Sequence, residues 1–394
     1  MLGDIMARQY SHTQFFRQTP NALLARYFQQ HHQVLKELTF DKLKESDTTS
    51  IFEAFKTLPE EKQAALEAEL QDIDSIACQG GITALTDEAG LYKDTDFPIA
   101  LAAVEGSHGK ALWTFLYHNN YWQGGSFLLR SDTIAESFWK RRNDLPHIKP
   151  VLEIVAIQQL EQAISDYFYR KQGRGRNCKV EVFHRFDKVY FFAYPEDFSQ
   201  SAIEWVRNAL KSQAHHPAFE IIFVYKQSEG SLDIYAPRNT KYISALQAIF
   251  AQCILKADDL DPFASENMTY QLDALANRQF TFIIDANSGI EQAVVSLLRL
   301  SLLNGKKRRI TIQVDPSHDT TAIYDLLELL NIPNFHVSQV EIKITFSASH
   351  DKQKRTRKVK ISHPNWCGLK HDGEDELIRQ MLAASGIVPI KNGS

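Results

Sequence analysis

Every second residue between 340 and 346 is apolar, and the residues between them are glutamate, lysine and threonine. The same alternation returns at Val359 and Ile361, where lysines and a serine take the polar positions. Successive side chains of a β-strand point to opposite faces, so each segment would present one apolar face to a core and one polar face to solvent or a partner. These two segments therefore predict strands of an antiparallel sheet with one covered face.

The stretch before these strands contains the strongest short turn signal in the chain. Asn304 and Gly305 separate two apolar segments, and both residue types accept the positive φ angles of a tight hairpin turn. Helical periodicity follows at 320–330 and again at 374–384. The predicted order over 293–386 is therefore hairpin, helix, hairpin, helix.

An earlier stretch has the same order of predicted elements. Hairpins are predicted at 180–194 and 219–235, with a helix at 199–212 between them and a helix at 242–255 after them. We therefore expect a duplicated ββαββα unit, each copy with an antiparallel sheet backed by helices.

The N-terminal half reads as mostly helical, and its clearest helix covers 60–77. Together these signals predict an α+β fold, a helical N-terminal half followed by the duplicated unit. The expected domains are a helical domain at 1–170, a first ββαββα unit at 171–257, a linker with an extended segment at 258–292, and a second unit at 293–394.

Composition places the chain among ordinary globular proteins. Of its 394 residues, 44% are hydrophobic and 23% are charged, and the four cysteines lie far apart without a CxxC pair. No apolar run has the length of a membrane span, and the N-terminus lacks the apolar core of a signal peptide. We expect a cytoplasmic protein with no membrane partner and no cofactor.

Charge is distributed unevenly along the chain. From Val34 to Ile99 there are fifteen acidic and six basic residues, whereas from Ala293 to Ile361 there are twelve basic and six acidic residues. Such an asymmetry indicates an anionic partner at the basic end, or a protein partner or self-association through the acidic helical half.

Basic residues cluster at the two predicted turns of the last unit and in the loop 171–177. If the two turns are neighbours, their cations would form one phosphate-binding surface for DNA or RNA. Lysines at hairpin turns also protect sheet edges, and the loop also fits a solvated connection. The candidate nucleic-acid-binding residues are Arg174, Arg176, Lys306, Lys307, Arg308, Arg309, Lys352, Lys354, Arg355, Arg357, Lys358 and Lys360.

Two weaker sets have the residue types of catalytic or metal sites. Asp315, Glu341 and Lys343 are the types that metal-dependent nucleases use, since Mg²⁺ needs carboxylates and a lysine can stabilise developing charge. His363, Cys367 and His371 offer metal donors, although the proline and glycine among them prevent helical alignment. The pairs His31–His32 and His215–His216 are interpreted as surface pairs at helix ends.

The leading hypothesis is a non-enzymatic nucleic-acid-binding or assembly protein that places a basic hairpin-turn surface on phosphate. Two alternatives remain open. One is a metal-dependent nuclease built on Asp315, Glu341 and Lys343, and the other is a purely structural subunit of a multi-protein complex.

Overall fold

The computed structural model describes residues 10–135, 138–206, 209–236, 240–258, 260, 268–303, 308–347, 355–364, 366–369 and 373–391. The chain divides into two compact units. Unit 1 is Met1–Thr133 with Phe183–Phe186, and unit 2 is Ile134–Val182 with Asp187–Ser394.

Unit 1 is built from helices. The predicted helix near 60–77 is confirmed as α4, which buries Leu66, Leu70, Ile73 and Ile76 at helical spacing and turns its acidic face outward. The helices are α1 (His12–Gln18), α2 (Asn21–Ala25), α3 (Thr48–Lys56), α4 (Glu60–Ile76), α5 (Gln79–Leu91), α6 (Asp96–Ala102), α7 (Ser107–Tyr117) and α8 (Trp122–Thr133), with a π-helical turn at Arg26–His31 after α2.

The first half of unit 2 contains a five-stranded sheet in the order β1-β7-β6-β3-β2. Its apolar face packs against α9 and α10, which contribute Leu160, Ile164, Leu246 and Phe250 to the core. The elements are β1 (Trp139–Arg142), α9 (Ile154–Gln172), β2 (Cys178–Arg185), β3 (Lys188–Pro195), β4 (Gln200–Val206), β5 (Ala209–His215), β6 (Ile221–Lys226), β7 (Ser231–Tyr235) and α10 (Ile243–Phe250).

The second half of unit 2 contains another five-stranded sheet, in the order β10-β9-β11-β12-β13, and a small two-stranded sheet of β8 and β14. Val340, Ile342 and Ile344 of β11 are buried in its core, as their alternation predicts. The elements are β8 (Met268–Tyr270), β9 (Ile290–Leu302), β10 (Arg309–Gln313), α11 (Ala322–Leu330), β11 (Phe335–Phe346), β12 (Arg355–Ser362), β13 (Trp366–Cys367), α12 (Gly373–Ala384) and β14 (Pro389–Lys391).

The predicted helix at 199–212 is wrong, because β4 and β5 form an antiparallel pair there. Its apolar residues also fit the spacing of a helix, but none of those side chains is buried in a core. Isoleucine, tryptophan and valine favour extended backbone, so without a helix-packing surface the local preference is for strands.

The α+β class is confirmed, with helices mostly in the N-terminal half and antiparallel sheets in the C-terminal half. The duplication is not confirmed. The first sheet places β2, β3, β6 and β7 in sequence order, whereas the second places β9 between β10 and β11. In the part of the chain that the structure describes, no helix has the length and apolar character to cross a membrane.

Candidate functional site

The strand ends that flank the two basic segments of the last unit lie at opposite ends of its sheet. Arg309 of β10 and His336 of β11 both pair with Ser301 at one end of β9. Arg355 pairs with Phe346 at the far end of β11, a strand of 12 residues. Because each residue extends a strand by about 3.3 Å, the two ends are roughly 35–40 Å apart. The expectation that both turns share one end is therefore wrong.

Most of the described basic candidates also contact carboxylates. Arg357 lies 2.6 Å from Asp375, Arg355 pairs with Glu374, and Lys358 and Lys360 lie 3.0 and 3.7 Å from Glu341. Arg176, Arg308 and Arg309 are exposed. Lys306, Lys307, Lys352 and Lys354 lie outside the described residues. Nucleic-acid binding at these positions stays a prediction, and the described basic residues do not form one shared surface that would support it.

The carboxylates of the nuclease hypothesis are held by different lysines. Lys343 lies 3.3 Å from Asp315 and donates to Ser317 at 2.6 Å. Hydrogen bonds from Ser317 and Lys343 lower the pKa of Asp315 to about 2. Glu341 is buried, but Lys358 and Ser296 outweigh the effect of burial and lower its pKa. Two carboxylates already balanced by lysines offer little charge to a Mg²⁺ ion.

Two of the three predicted metal ligands, His363 and Cys367, have different neighbours. His363 packs against His336, with ring centroids 5.7 Å apart, while Cys367 lines a cavity together with Tyr270. Burial raises the pKa of Cys367, so its thiol stays protonated at neutral pH. His371 lies outside the described residues.

Cys367 and Tyr270 line a cavity of about 240 Å³ in unit 2, together with Arg141 and Arg379. No local pattern in the sequence indicates this cavity, since its residues come from distant parts of the chain. Arg141 lies 3.3 Å from Asp233 and also pairs with Glu229. Charged side chains compensated in this way rigidify a polar core, and they favour a structural role for the cavity.

The β4–β5 pair is a separate two-stranded ribbon (Gln200–Val206 with Ala209–His215) whose two faces differ. Trp205 is opposite Leu210 and Ile203 is opposite Ser212, so these residues share one face. Glu204 is opposite Lys211 on the other face. The ribbon therefore has one apolar face and one polar face.

The apolar face is exposed. Ile203, Trp205 and Leu210 are 74%, 73% and 58% exposed. Within the described residues, both long edges of the ribbon are also unpaired, since its sheet contains only β4 and β5. A two-stranded hairpin is marginally stable on its own, and large exposed apolar patches are uncommon on monomeric proteins.

The ribbon root, defined as residues 195–198 and 217–219, is held by the loop 171–177. The Arg174 guanidinium lies 2.7 Å from the Asp197 carboxylate and 4.0 Å from the ring centroid of Phe219. It also lies 5.7 Å from the ring centroid of Phe198. Arg174 is therefore occupied in holding the two ends of the ribbon.

Backbone hydrogen bonds extend this attachment. The Gly175 N–H donates to the carbonyl of Glu196 at 2.7 Å, and the Glu196 N–H donates to Asn177 at 2.8 Å. Gly175 has a φ of +81°, and a Cβ at this position would lie 2.8 Å from Cβ of Phe168. Backbone conformation and close packing therefore require a glycine at position 175. A phosphate ligand is not needed to explain it.

Neither family models, curated proteins nor solved structures give a match to this chain.

Proposed function

We propose that the protein is a non-enzymatic assembly subunit that associates with a second copy of itself through the apolar face of the β4–β5 ribbon. The observation that carries the proposal is the uncovered face formed by Ile203, Trp205 and Leu210. Burying a large apolar side chain stabilises a complex by about 1.5–3 kcal/mol, and tryptophan is among the residues that dominate interfaces.

A second copy is the occupant that fits this face best. An isologous contact needs a self-complementary surface, and an apolar face without charge meets its own copy without electrostatic repulsion. The charges of the ribbon lie on the opposite face, where Glu204 and Lys211 are paired across the strands. A net charge of -4 for the whole chain opposes association only weakly.

The attachment of the ribbon supports the same function. A surface that is already fixed loses less conformational entropy on binding than a flexible one. Arg174, Asp197 and Phe219 hold both ends of the ribbon, so its orientation is defined before a partner arrives.

The cytoplasmic location is part of the proposal. All four cysteines, Cys78, Cys178, Cys253 and Cys367, are free thiols, which agrees with a reducing compartment. The proposal includes a further protein partner at the helical N-terminal half, and the excess of acidic residues from Val34 to Ile99 supports it.

The experiment is a measurement of molar mass by light scattering, from low to high micromolar concentration. The parent should approach twice the mass of one chain, and Trp205→Lys should remain a monomer. Leu329→Lys is the matched control, since Leu329 is 79% exposed on α11 and outside the ribbon. A parent that stays monomeric, or a Trp205→Lys variant that dimerises like the parent, would contradict the proposal.

A further inference from the structure

Two adjacent histidines and a glutamate come together in unit 1. The ligand atoms of His31, His32 and Glu69 all lie within 4.8 Å of one another, and His32 Nε2 is 2.5 Å from Glu69 Oε1. His31 is exposed, whereas His32 and Glu69 are half-buried. The sequence suggested that His31 and His32 form a surface pair at a helix end. That interpretation does not explain why Glu69 lies beside both rings.

A π-helical turn produces this arrangement. The turn Arg26–His31 continues α2, and the His32 N–H donates to the carbonyl of Tyr27 at 3.0 Å, five residues earlier. A π-helical turn widens the helix, and such turns occur frequently at functional sites. The end of the turn brings the two rings to Glu69 of α4.

Neighbouring rings restrict the motion of the histidines. The fully buried ring of Tyr27 packs edge-on against His32, with centroids 4.6 Å apart. The rings of His31 and His32 are nearly perpendicular, with centroids 4.7 Å apart. Restricted ligands lose less entropy when they bind an ion.

A cleft lies next to the exposed side of this cluster. It has a volume of about 300 Å³ and is lined by Arg26, Gln30, His31, Leu116 and Tyr117. His31 therefore belongs to the cluster and also lines this open cleft, which has room for a water molecule beside the donors.

We propose that His31, His32 and Glu69 bind one divalent cation of the zinc class. Two imidazole nitrogens and a carboxylate oxygen are a known ligand set for zinc, with a fourth position open to water. Imidazole donors also suit Co²⁺, Ni²⁺ and Cu²⁺, whereas Mg²⁺ and Ca²⁺ prefer oxygen donors.

Binding needs a small adjustment of the side chains. Zinc lies about 2.1 Å from nitrogen and oxygen ligands, so tetrahedral donors are about 3.4 Å apart. The exposed side chain of His31 can close the remaining distance. The positive charge of Lys62 acts on His32 and reduces the affinity for a cation, while the negative charge of Glu69 increases it.

The test is a titration of the untagged full-length protein with Zn²⁺ against a chromophoric chelator, with Co²⁺ absorption as a second readout. The parent should bind one ion tightly and give the intense visible bands of four-coordinate Co²⁺. Glu69→Gln and His31→Ala should each weaken binding at least tenfold, since each removes one of three protein ligands.

His215→Ala/His216→Ala is the matched control. This second pair also has one carboxylate nearby, with His216 Nδ1 3.2 Å from Glu196, but it is not part of a three-residue cluster among the described residues. The control should bind Zn²⁺ as tightly as the parent. Circular dichroism should show that Glu69→Gln is folded, since glutamine retains the shape of the side chain. Zinc binding that survives Glu69→Gln and His31→Ala, or that is lost in the control, would overturn the proposal.

Discussion

The Arg174 guanidinium lies 2.7 Å from the Asp197 carboxylate, and this ion pair fastens the β4–β5 ribbon to the loop after α9. The same guanidinium covers the ring of Phe219 at the other end of the ribbon. Arg174, a residue predicted from the sequence to bind phosphate, is therefore part of the attachment of the ribbon.

Replacing Arg174 should loosen the ribbon. Arg174→Ala removes one partner of a half-buried ion pair and a cation–π contact, so we expect a loss of about 2 kcal/mol in the free energy of unfolding. Urea denaturation measures this loss, and hydrogen exchange should show faster exchange in β4 and β5. Arg176→Ala is the control, because Arg176 is exposed in the same loop. Equal effects of the two substitutions would contradict the role of Arg174.

Glu376 should contribute stability that is lost in acid. Burial alone would raise its pKa, but Lys188, 2.7 Å away, and Lys226 outweigh burial and lower it to about 2 from an ordinary 4.5. A lowered folded-state pKa stabilises the fold above pH 4.5, and this contribution disappears as the pH falls towards 2. Glu376→Gln should cost about 3 kcal/mol at pH 7, with the difference from the parent shrinking below pH 4.5 in urea denaturation.

Glu374→Gln is the control for this prediction. Glu374 forms an exposed pair with Arg355 one residue before Asp375 on the same helix, and exposed pairs contribute under about 1 kcal/mol. A Glu376→Gln variant as stable as the parent at pH 7 would show that the buried pairs do not stabilise the fold.

Glu88 should destabilise the fold at high pH, whereas Glu376 stabilises it. It is buried on α5, and burial raises its pKa to about 7 from 4.5. The folded state therefore holds the proton more tightly than the unfolded state, so stability is lost as the pH rises from 4.5 through 7. Glu88→Gln should raise the free energy of unfolding on the order of 2 kcal/mol at pH 8 and change it little at pH 4.5.

Thermal unfolding at the two pH values measures this effect, with the exposed Glu61→Gln as the control. A Glu88→Gln variant less stable than the parent at pH 8 would contradict the prediction. We expect glutamine to fit at position 88. The Glu88 carboxyl group packs closely against α8 because Gly124 has no side chain there, and a Cβ at Gly124 would lie 2.2 Å from the carboxyl carbon.

Local patterns predicted part of the fold. The alternation at 340–346 identified β11, and helical spacing at Leu66, Leu70 and Ile73 identified α4, because both elements bury one face in a core. The ribbon was missed because its apolar face is not buried within the chain. The period-2 placement of Ile203 and Trp205 was the signal that could have found it.

Strand pairing could not be predicted from the same patterns. Consecutive hairpins would place the turns after β9 and β11 at the same end if β10 paired with β11. In the structure β11 pairs antiparallel with β9, so β11 runs in the reverse direction and its last residue, Phe346, lies at the far end of the sheet, opposite Ile290. Tertiary pairing of this kind has no signal in local periodicity, and the same is true of the contact between Arg174 and Phe219.

The most direct test of the central claim is the fluorescence of Trp205, isolated as the difference between the parent and Trp205→Phe. Phenylalanine keeps the face apolar, so both proteins should associate. As concentration rises and the mass doubles, the Trp205 emission should move to shorter wavelength and become protected from acrylamide. Trp205 emission that remains fully exposed at concentrations where the mass has doubled would contradict association through the ribbon.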